Sequence, residues 1–283
     1  MLKTQFVDPL IKAALQEDIG ARDITSTALI PDALHFKADI IVNEEGVLCG
    51  IAIAERVFRL IDENVRFLPV AKDGEVLEKG REIAYIEGKG GSILSAERTA
   101  LNFISHLSGI ATKTRQFVDK VKGTSAKILD TRKTTPGLRL LEKYAVLTGG
   151  GVNHRFGLYD QVLIKDNHLR VLRDLPIVQI VEQARKKALK KTIVGVEVKN
   201  LKELAEALKS SAHYILLDNM SVEMVRGAVE MRKKSGVKIQ LEVSGGVNID
   251  TVLDYAKTGV ERISVGCLTH AAPALDISLD IVG

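Results

Sequence analysis

"TIVGVEVKNLKELAEALKSSAHYILLD", residues 192–218, decides how this chain folds. Two short apolar runs, "TIVGVEVK" and "HYILLD", leave almost no polar face. Between them, "LKELAEALKS" repeats its apolar residues at helical spacing. Near-continuous apolar strands joined by an amphipathic helix read as neighbours in a parallel sheet that helices cover. The same pattern extends both ways. "KILDT" and "QVLIKD" precede it, and "KIQLEVS" and "RISVG" follow. "LRLLEKYAVL", "LPIVQIVEQARKKAL", "SVEMVRGAVEMRKK" and "NIDTVLDYAKT" supply the other helices. Six strand–helix repeats after Gly123 imply an α/β barrel, closed or slightly open, rather than a doubly wound sheet. No G-x-G-x-x-G follows the first strand, which argues against a dinucleotide fold.

Upstream the pattern differs. Residues 8–19 read as a helix, with Asp8 as its cap and Pro9 in the first helical position. "GARDITS" reads as loop. The strand-like runs "KADIIV", "EGVLCG", "VRFLPV" and "REIAYIEG" cluster together, interrupted by the helical "AIAERVFRLIDE". Strands grouped in this way mark an α+β domain. A long helix follows over 93–121, with Gly109 as a break or a close-packing point. From about His270 a helix and then the strand-like "ISLDIV" return to the first domain. The expected division is a domain over 1–110, rejoined by 271–283, and a barrel over 111–270.

The 283 residues are 46% apolar and 27% charged, the balance of a protein with a sizeable core. No apolar run approaches the roughly 18–20 residues that span a bilayer. The N-terminal stretch alternates apolar and charged residues and lacks the apolar centre of a signal peptide. Cys49 and Cys267 lie far apart and read as buried reduced thiols, so the expected location is cytoplasmic. The net charge of +4 is uneven. Between Asp130 and Arg170 stand seven cations, Arg132, Lys133, Arg139, Lys143, Arg155, Lys165 and Arg170, against four anions, Asp130, Glu142, Asp160 and Asp166. Aromatics are only 4% and Trp is absent, which disfavours nucleic acid; a small, strongly anionic ligand fits better.

In α/β barrels the chemistry sits at the C-terminal ends of the strands. Here those ends read Asp130-Thr131-Arg132-Lys133, Lys165-Asp166-Asn167-His168, Glu197 with Lys199, Asp218-Asn219, Ser244-Gly245-Gly246, and Gly266. Arg132, Lys133, His154, Arg155 and Lys165 form a cationic set suited to carboxylates and phosphates. Glu197 and Asp218 suit Mg²⁺ or sugar hydroxyls. The glycine turns expose backbone N–H groups where a phosphate binds. Plainer readings stand beside these. His154 could simply hydrogen-bond within its loop, and Glu197 could be the buried partner of a lysine. Arg139 and Lys143 read as solvated on their helix, and Arg98 as a surface residue. His35, His213 and His270 show no ligand spacing. "GEVLEKGREIAYIEG" has the look of a lipoyl- or biotinyl-carrier framework but lacks the expected lysine at a hairpin tip.

"DTRKTTPGLRLLEKYAV", "GGGVNHRFGLYDQVLIKDNH", "LLDN", "EVSGG" and "VGCLTHAAPALDISLD" resemble the quinolinate phosphoribosyltransferases, also called carboxylating nicotinate-nucleotide pyrophosphorylases. The resemblance spans the chain from "EDIGARDIT" to "LDISLDI". It implies an N-terminal α/β sandwich domain and the C-terminal α/β barrel of the type II phosphoribosyltransferases. It implies quinolinate and phosphoribosyl pyrophosphate as substrates and Mg²⁺ as cofactor. It also implies a homo-oligomer, dimer or hexamer, with each site completed by a neighbour, and no nucleic-acid or membrane partner. By the same resemblance Arg132, His154 and Arg155 bind quinolinate, joined by Arg98 of a neighbouring subunit. Lys133 and Lys165 hold substrate carboxylate and the phosphoribosyl group. Glu197 and Asp218 serve ribose hydroxyls and Mg²⁺, directly or through substrate or water. Ser244, Gly245, Gly246 and Gly266 cradle the 5′-phosphate. The catalytic group is then Lys133, Lys165, Glu197 and Asp218. Lys199 stands where relatives often carry an acid. Molybdenum-transport-associated paralogues keep the fold but depart around the second strand, where this chain retains "NHRFGLYDQVLIKDNH".

Overall fold

A computed structural model describes residues 3–282. In chain order its elements are α1 (Thr4–Ile19), α2 (Ile24–Leu29), β1 (His35–Val42), β2 (Gly46–Val47), α3 (Ile51–Ile61), β3 (Arg66–Pro69), β4 (Val76–Leu77), β5 (Glu82–Lys89) and α4 (Gly90–Lys120). Next come β6 (Lys127–Leu129), α5 (Arg139–Thr148), β7 (Gln161–Ile164), α6 (Asp166–Val171), α7 (Ile177–Lys187), β8 (Ile193–Val198), α8 (Leu201–Ala207) and β9 (Tyr214–Asp218). The chain ends with α9 (Val222–Ser235), β10 (Gln240–Ser244), α10 (Val252–Ala256), β11 (Arg262–Ser264), α11 (Cys267–His270) and β12 (Ile277–Val282). These form two compact units. One contains the chain up to Arg115, Thr135–Gly150 and the segment from Ala271 onward; the other contains Gln116–Thr134 and Gly151–His270. Among the described residues, no helix is long and apolar enough to cross a membrane.

In the first unit, β12, β1, β5 and β3 form an antiparallel sheet in that order. Ala38, Ile40 and Val42 alternate along β1 and are fully buried, the period-2 pattern of a strand with one face in the core. The C-terminal strand does return here, pairing Ala38 with Ile281 and Ile40 with Leu279. The helix expected after His270 is instead α11, which ends at His270. Helix α1 begins well before Asp8, with Pro9 inside it and Lys3 at the N-cap. Asp8 does not cap it; its carboxylate takes both Nε and Nη2 of Arg56 on α3, at 2.9 and 2.6 Å. "GARDITS" is only partly loop, because Asp23 accepts from the Ser26 N–H at 2.9 Å and starts α2. Gly109 does not break α4. A Cβ there would run into the backbone carbonyl of Pro273, so glycine permits that close approach. The carrier-like stretch forms no separate hairpin: β4 pairs with β2, and β5 is interior to the four-stranded sheet.

Helix α5, read from sequence as a barrel helix, packs within the first unit. Glu142 Oε1 meets His106 Nε2 at 3.0 Å, and Tyr144 donates to Asp73 Oδ2 at 2.6 Å. Lys143 is buried rather than solvated, beside the fully buried Glu142. Amphipathicity showed that this helix has an inner face, but not which polar side chains find partners there.

The second unit is the α/β barrel. Its six strands are all parallel, in the order β6, β11, β10, β9, β8, β7, and β6 and β7 are the sheet edges, so the barrel is open. Val194, Val196, Val198, Ile215, Leu217, Leu241 and Val243 are buried with under 1% exposure, as strands covered by helices require. The helices bury Ile177, Ile180 and Val181 (α7), Leu204 and Ala207 (α8), and Val225, Ala228 and Val229 (α9). Asn200 and Ser221 cap α8 and α9 through the N–H groups of Glu203 and Met224. Every parallel strand therefore points its C-terminal end to the same side of the sheet.

Candidate active site

A cavity of about 700 Å³ opens at those strand ends, and every residue lining it belongs to the second unit. Arg132 and Lys133 follow β6. His154 and Arg155 come from the loop leading to β7, and Lys165 follows β7. Glu197 lies on β8, Asp218 ends β9, Ser244 ends β10 with Gly245 and Gly246 behind it, and Gly266 follows β11. These sequence-predicted residues thus share one cavity. Arg98 does not join them within the chain: it is exposed on α4 in the first unit.

The loop before β7 is built to hold its cations. Asp160 accepts from the N–H groups of Phe156 and Gly157 at 2.7 and 2.8 Å, and the N–H of His154 donates to Asp130 Oδ1 at 2.7 Å. His154 and Arg155 are consequently buried. Burial, and after it the charge of Arg132, push the Arg155 guanidinium below its ordinary range. An anion between those two arginines would relieve both penalties.

The acids come from β8 and β9. Glu197, 5% exposed, meets Lys165 Nζ at 3.0 Å through Oε2. Lys199 takes a different partner: its Nζ donates to Asp166 Oδ2 at 2.8 Å, and that hydrogen bond holds the Asp166 carboxyl below its usual range. Glu197 therefore keeps its place in the cavity beside the unusual lysine. Among the described residues no three His, Cys, Asp or Glu side chains gather as a metal cage.

The glycine turns have steric causes. Gly245 has φ +96°, and a Cβ there would collide with the side chain of Asn219. Gly246 has φ +65°. A Cβ on Gly266 would stand 3.2 Å from Lys133 Cδ and 3.3 Å from His270 Nε2. Thr269 Oγ1 donates to the Lys133 carbonyl at 2.6 Å and ties α11 to the end of β6. Small residues thus leave backbone room where strands β10 and β11 meet their helices, the place where such barrels bind phosphate.

Two family models cover nearly the whole chain. The quinolinate phosphoribosyl transferase N-terminal domain matches residues 23–108, and the C-terminal domain matches residues 110–280. This chain belongs to the quinolinate phosphoribosyltransferase family. A carboxylating nicotinate-nucleotide pyrophosphorylase of Mycobacterium leprae is 41% identical over 276 residues, 96% of this chain and 95% of that protein. A decarboxylating quinolinate phosphoribosyltransferase of Nicotiana glauca is 40% identical over 286 residues, 96% of this chain and 81% of that protein. The solved nicotinate-nucleotide pyrophosphorylase of Francisella tularensis superposes with a TM-score of 0.92 at 40% identity, covering all of this chain and 98% of that one.

Reading the strand ends from sequence assigns only part of this quinolinate phosphoribosyltransferase-family site. Glu242, Ser264, Cys267 and His270 also line the cavity, as does Asn219, a strand-end residue to which the sequence assigns no role. Cys267 is partly exposed, contrary to the expectation of two buried thiols, while Cys49 is fully buried. Glu242 had a signal in the sequence: a lone acid inside the apolar run "QLEVS", as Glu197 is in "IVGVEVK".

Proposed function

We infer that the chain transfers the phosphoribosyl group of phosphoribosyl pyrophosphate to the ring nitrogen of quinolinate. Pyrophosphate and CO₂ leave and nicotinate mononucleotide forms, a step of de novo NAD synthesis. One observation carries the reading. Four cations, three acids and two glycine turns, drawn from six strands and the residues that follow them and from the loop before β7, face one cavity at the barrel mouth.

Quinolinate bears two carboxylates on adjacent ring carbons, and burying such a dianion without partners would be prohibitive. Arg132 and Arg155 compensate it through hydrogen-bonded ion pairs, and His154 fixes the wall beside them. Lys133 and Lys165 serve the remaining carboxylate and the phosphoribosyl group. Ser244, Gly245, Gly246 and Gly266 offer backbone and hydroxyl donors to the 5′-phosphate. Glu197 and Asp218 face the ribose, where the leaving of pyrophosphate generates positive charge on the anomeric carbon; fixed carboxylates stabilise that charge. No covalent nucleophile is required, and positioning supplies much of the acceleration. Once alkylated at nitrogen, the ring accepts the electron pair released as the 2-carboxylate departs. Lys133 or a water then returns a proton to that carbon.

The donor set fits Mg²⁺ in the way Mg²⁺ is held at phosphate sites, by one or two carboxylates with waters and substrate oxygens. Glu197 and Asp218 would be those carboxylates, and the ion would neutralise pyrophosphate as it departs. Arg98, exposed on α4, is assigned to the site of a neighbouring copy, which makes the protein a homo-oligomer, a dimer or a hexamer. A cytoplasmic location accords with two free cysteines.

The decisive experiment incubates the chain with quinolinate, phosphoribosyl pyrophosphate and Mg²⁺ and measures CO₂ and nicotinate mononucleotide. Both should appear, in equal amounts. Nicotinate in place of quinolinate should yield little product. Equal turnover of nicotinate, or none of quinolinate, would overturn the reading.

A further inference from the structure

Behind the cations lies a second layer that the reaction as described does not use. Glu242, midway along β10, is fully buried. Its Oε2 accepts from Arg262 Nε at 2.7 Å, and its Oε1 accepts from Ser264 Oγ at 2.6 Å. Parallel register places Glu242 directly opposite Arg262 on β11. The same Oε1 lies 3.2 Å from His154 Nε2. The Tyr214 hydroxyl is 3.3 Å from that nitrogen, and the two rings meet edge-on at 5.8 Å. Arg262 also lies over the Tyr214 ring, 4.8 Å from its centroid. Gly195 on β8 makes room for this ring, since a Cβ there would collide with it. Three side chains, Arg262, Ser264 and His154, thus meet one buried carboxylate, and Tyr214 touches two of them.

The other ring nitrogen of His154 settles what the carboxylate does. The N–H of Arg155 donates to His154 Nδ1 at 2.7 Å. A nitrogen that accepts a hydrogen bond carries no proton, so the ring proton is on Nε2, the nitrogen that faces Glu242. We propose that Glu242 is a positioning residue that holds His154 as a neutral, Nε2-protonated imidazole, leaving the positive charge facing the substrate carboxylates to Arg132 and Arg155. The arrangement resembles the way a buried carboxylate fixes the tautomer and orientation of a histidine that works elsewhere. It also locks Arg155, because the backbone N–H held by His154 is that of Arg155 itself. His154, grouped with the cations when read from sequence, here acts as a strut between Glu242 and the guanidinium beside it. This inference rests on the proposed quinolinate reading only for its kinetic consequence.

The test has two parts. First, long-range ¹H–¹⁵N NMR of the substrate-free protein at pH 7 reads the protonation of each ring nitrogen of His154, with His154→Asn used to assign the signals. The expected pattern is a bare Nδ1 and a protonated Nε2. Protonation of both nitrogens, or of Nδ1 alone, would overturn the proposal whatever the substrate is. Second, in Glu242→Gln the amide N–H₂ replaces one carboxylate oxygen, so the network cannot satisfy Arg262, Ser264 and His154 together. The His154 pattern should change and KM for quinolinate should rise about tenfold, the effect of one lost hydrogen bond. KM for phosphoribosyl pyrophosphate should stay near its wild-type value. An unchanged spectrum and unchanged quinolinate KM would remove Glu242 from this role. Should that variant not fold, Ser264→Ala deletes a single donor to Oε1. It should raise quinolinate KM two- to threefold, about half of one hydrogen bond, and no change would count against the network. A chain that does not turn over quinolinate at all would defeat the functional reading while leaving the NMR test of His154 intact.

Discussion

Lys165 Nζ and Glu197 Oε2 stand 3.0 Å apart at the ends of adjacent strands β7 and β8. Glu197 is buried and Lys165 is half exposed, so the pair joins the protein interior to the cavity. A structural ion pair and a functional one make different predictions. Glu197→Gln leaves Lys165 able to regain water, and stability should fall by less than about 1 kcal/mol. Turnover should fall about 10²-fold, because a fixed carboxylate no longer faces the developing charge on the ribose. Thermal unfolding and steady-state kinetics on the same sample separate the two. A large loss of stability with normal kcat would make the pair merely structural.

Arg132 is assigned to the substrate dianion. Arg132→Ala should lower kcat/KM for quinolinate by about 10²-fold, as expected for the loss of a charge-assisted bond. Binding of phosphoribosyl pyrophosphate, measured by calorimetry, should remain measurable. Normal quinolinate kinetics in this variant would defeat the assignment.

The barrel was legible because parallel strands buried on both faces leave an unmistakable apolar record. "TIVGVEVK" and "HYILLD" became β8 and β9 in direct register, Val196 opposite Ile215. The strand-end rule then brought Arg132, Lys165, Glu197 and Asp218 to one cavity. What stayed hidden depends on pairings between residues far apart in sequence. Asp8 resembles a cap until Arg56 is placed beside it. Lys143 resembles a solvated residue because helical periodicity says nothing of a buried polar partner. Glu242 stands out in sequence as a lone acid in an apolar strand, but its role stays hidden until Arg262, Ser264 and His154 arrive from other elements. Residues 135–150 lie between two barrel strands in sequence yet pack with the first unit, which no local pattern reports.

If Arg98 enters a neighbour's site, two inactive variants should complement each other. Arg98→Ala and Arg132→Ala chains, mixed under conditions of subunit exchange, should regain activity, because a mixed assembly contains one site with neither substitution. For a fully exchanged dimer the ceiling is about a quarter of wild-type activity, since half the assemblies are mixed and each holds one intact site. Proven exchange without recovery would place Arg98 outside the site.

Gly109 and Gly227 make opposite predictions for the same substitution. In Gly109→Ala the new methyl meets the carbonyl of Pro273, a backbone atom that cannot yield without moving the C-terminal return. The penalty of about 1–3 kcal/mol for overpacking should exceed the gain of about 1 kcal/mol in helix propensity. In Gly227→Ala, on α9, the nearest atom is Leu201 Cδ1 at 3.7 Å, an ordinary contact. That variant should gain about 0.5–1 kcal/mol. Denaturant midpoints that fall for the first and rise for the second check both; a stabilised Gly109→Ala would mean that the return segment is free to shift.

Glu242 sets a pH dependence whose sign follows from its surroundings. Burial alone would raise its carboxyl, but the hydrogen bond and electrostatic attraction of His154, the charge of Arg262 and the hydrogen bond from Ser264 outweigh burial and hold it below the ordinary 4.5. In the unfolded chain the group takes up a proton near 4.5, whereas in the folded chain it does so only at lower pH. The unfolded state therefore binds more protons in that window, and stability rises with pH across it. The contribution is fully present above the ordinary value and is lost as pH falls through the folded one. Asp8, Asp23, Asp160 and Asp166 are depressed as well and add slopes of the same sign. The difference between wild type and Glu242→Gln isolates the one carboxylate. Denaturant titrations at pH 7, 4.5 and 3 should show the variant less stable at pH 7 and the gap narrowing toward pH 3. A gap that stays constant with pH would mean that Glu242 carries no depressed ionisation, and a gap that widens as pH falls would mean that its partners stabilise the neutral acid instead.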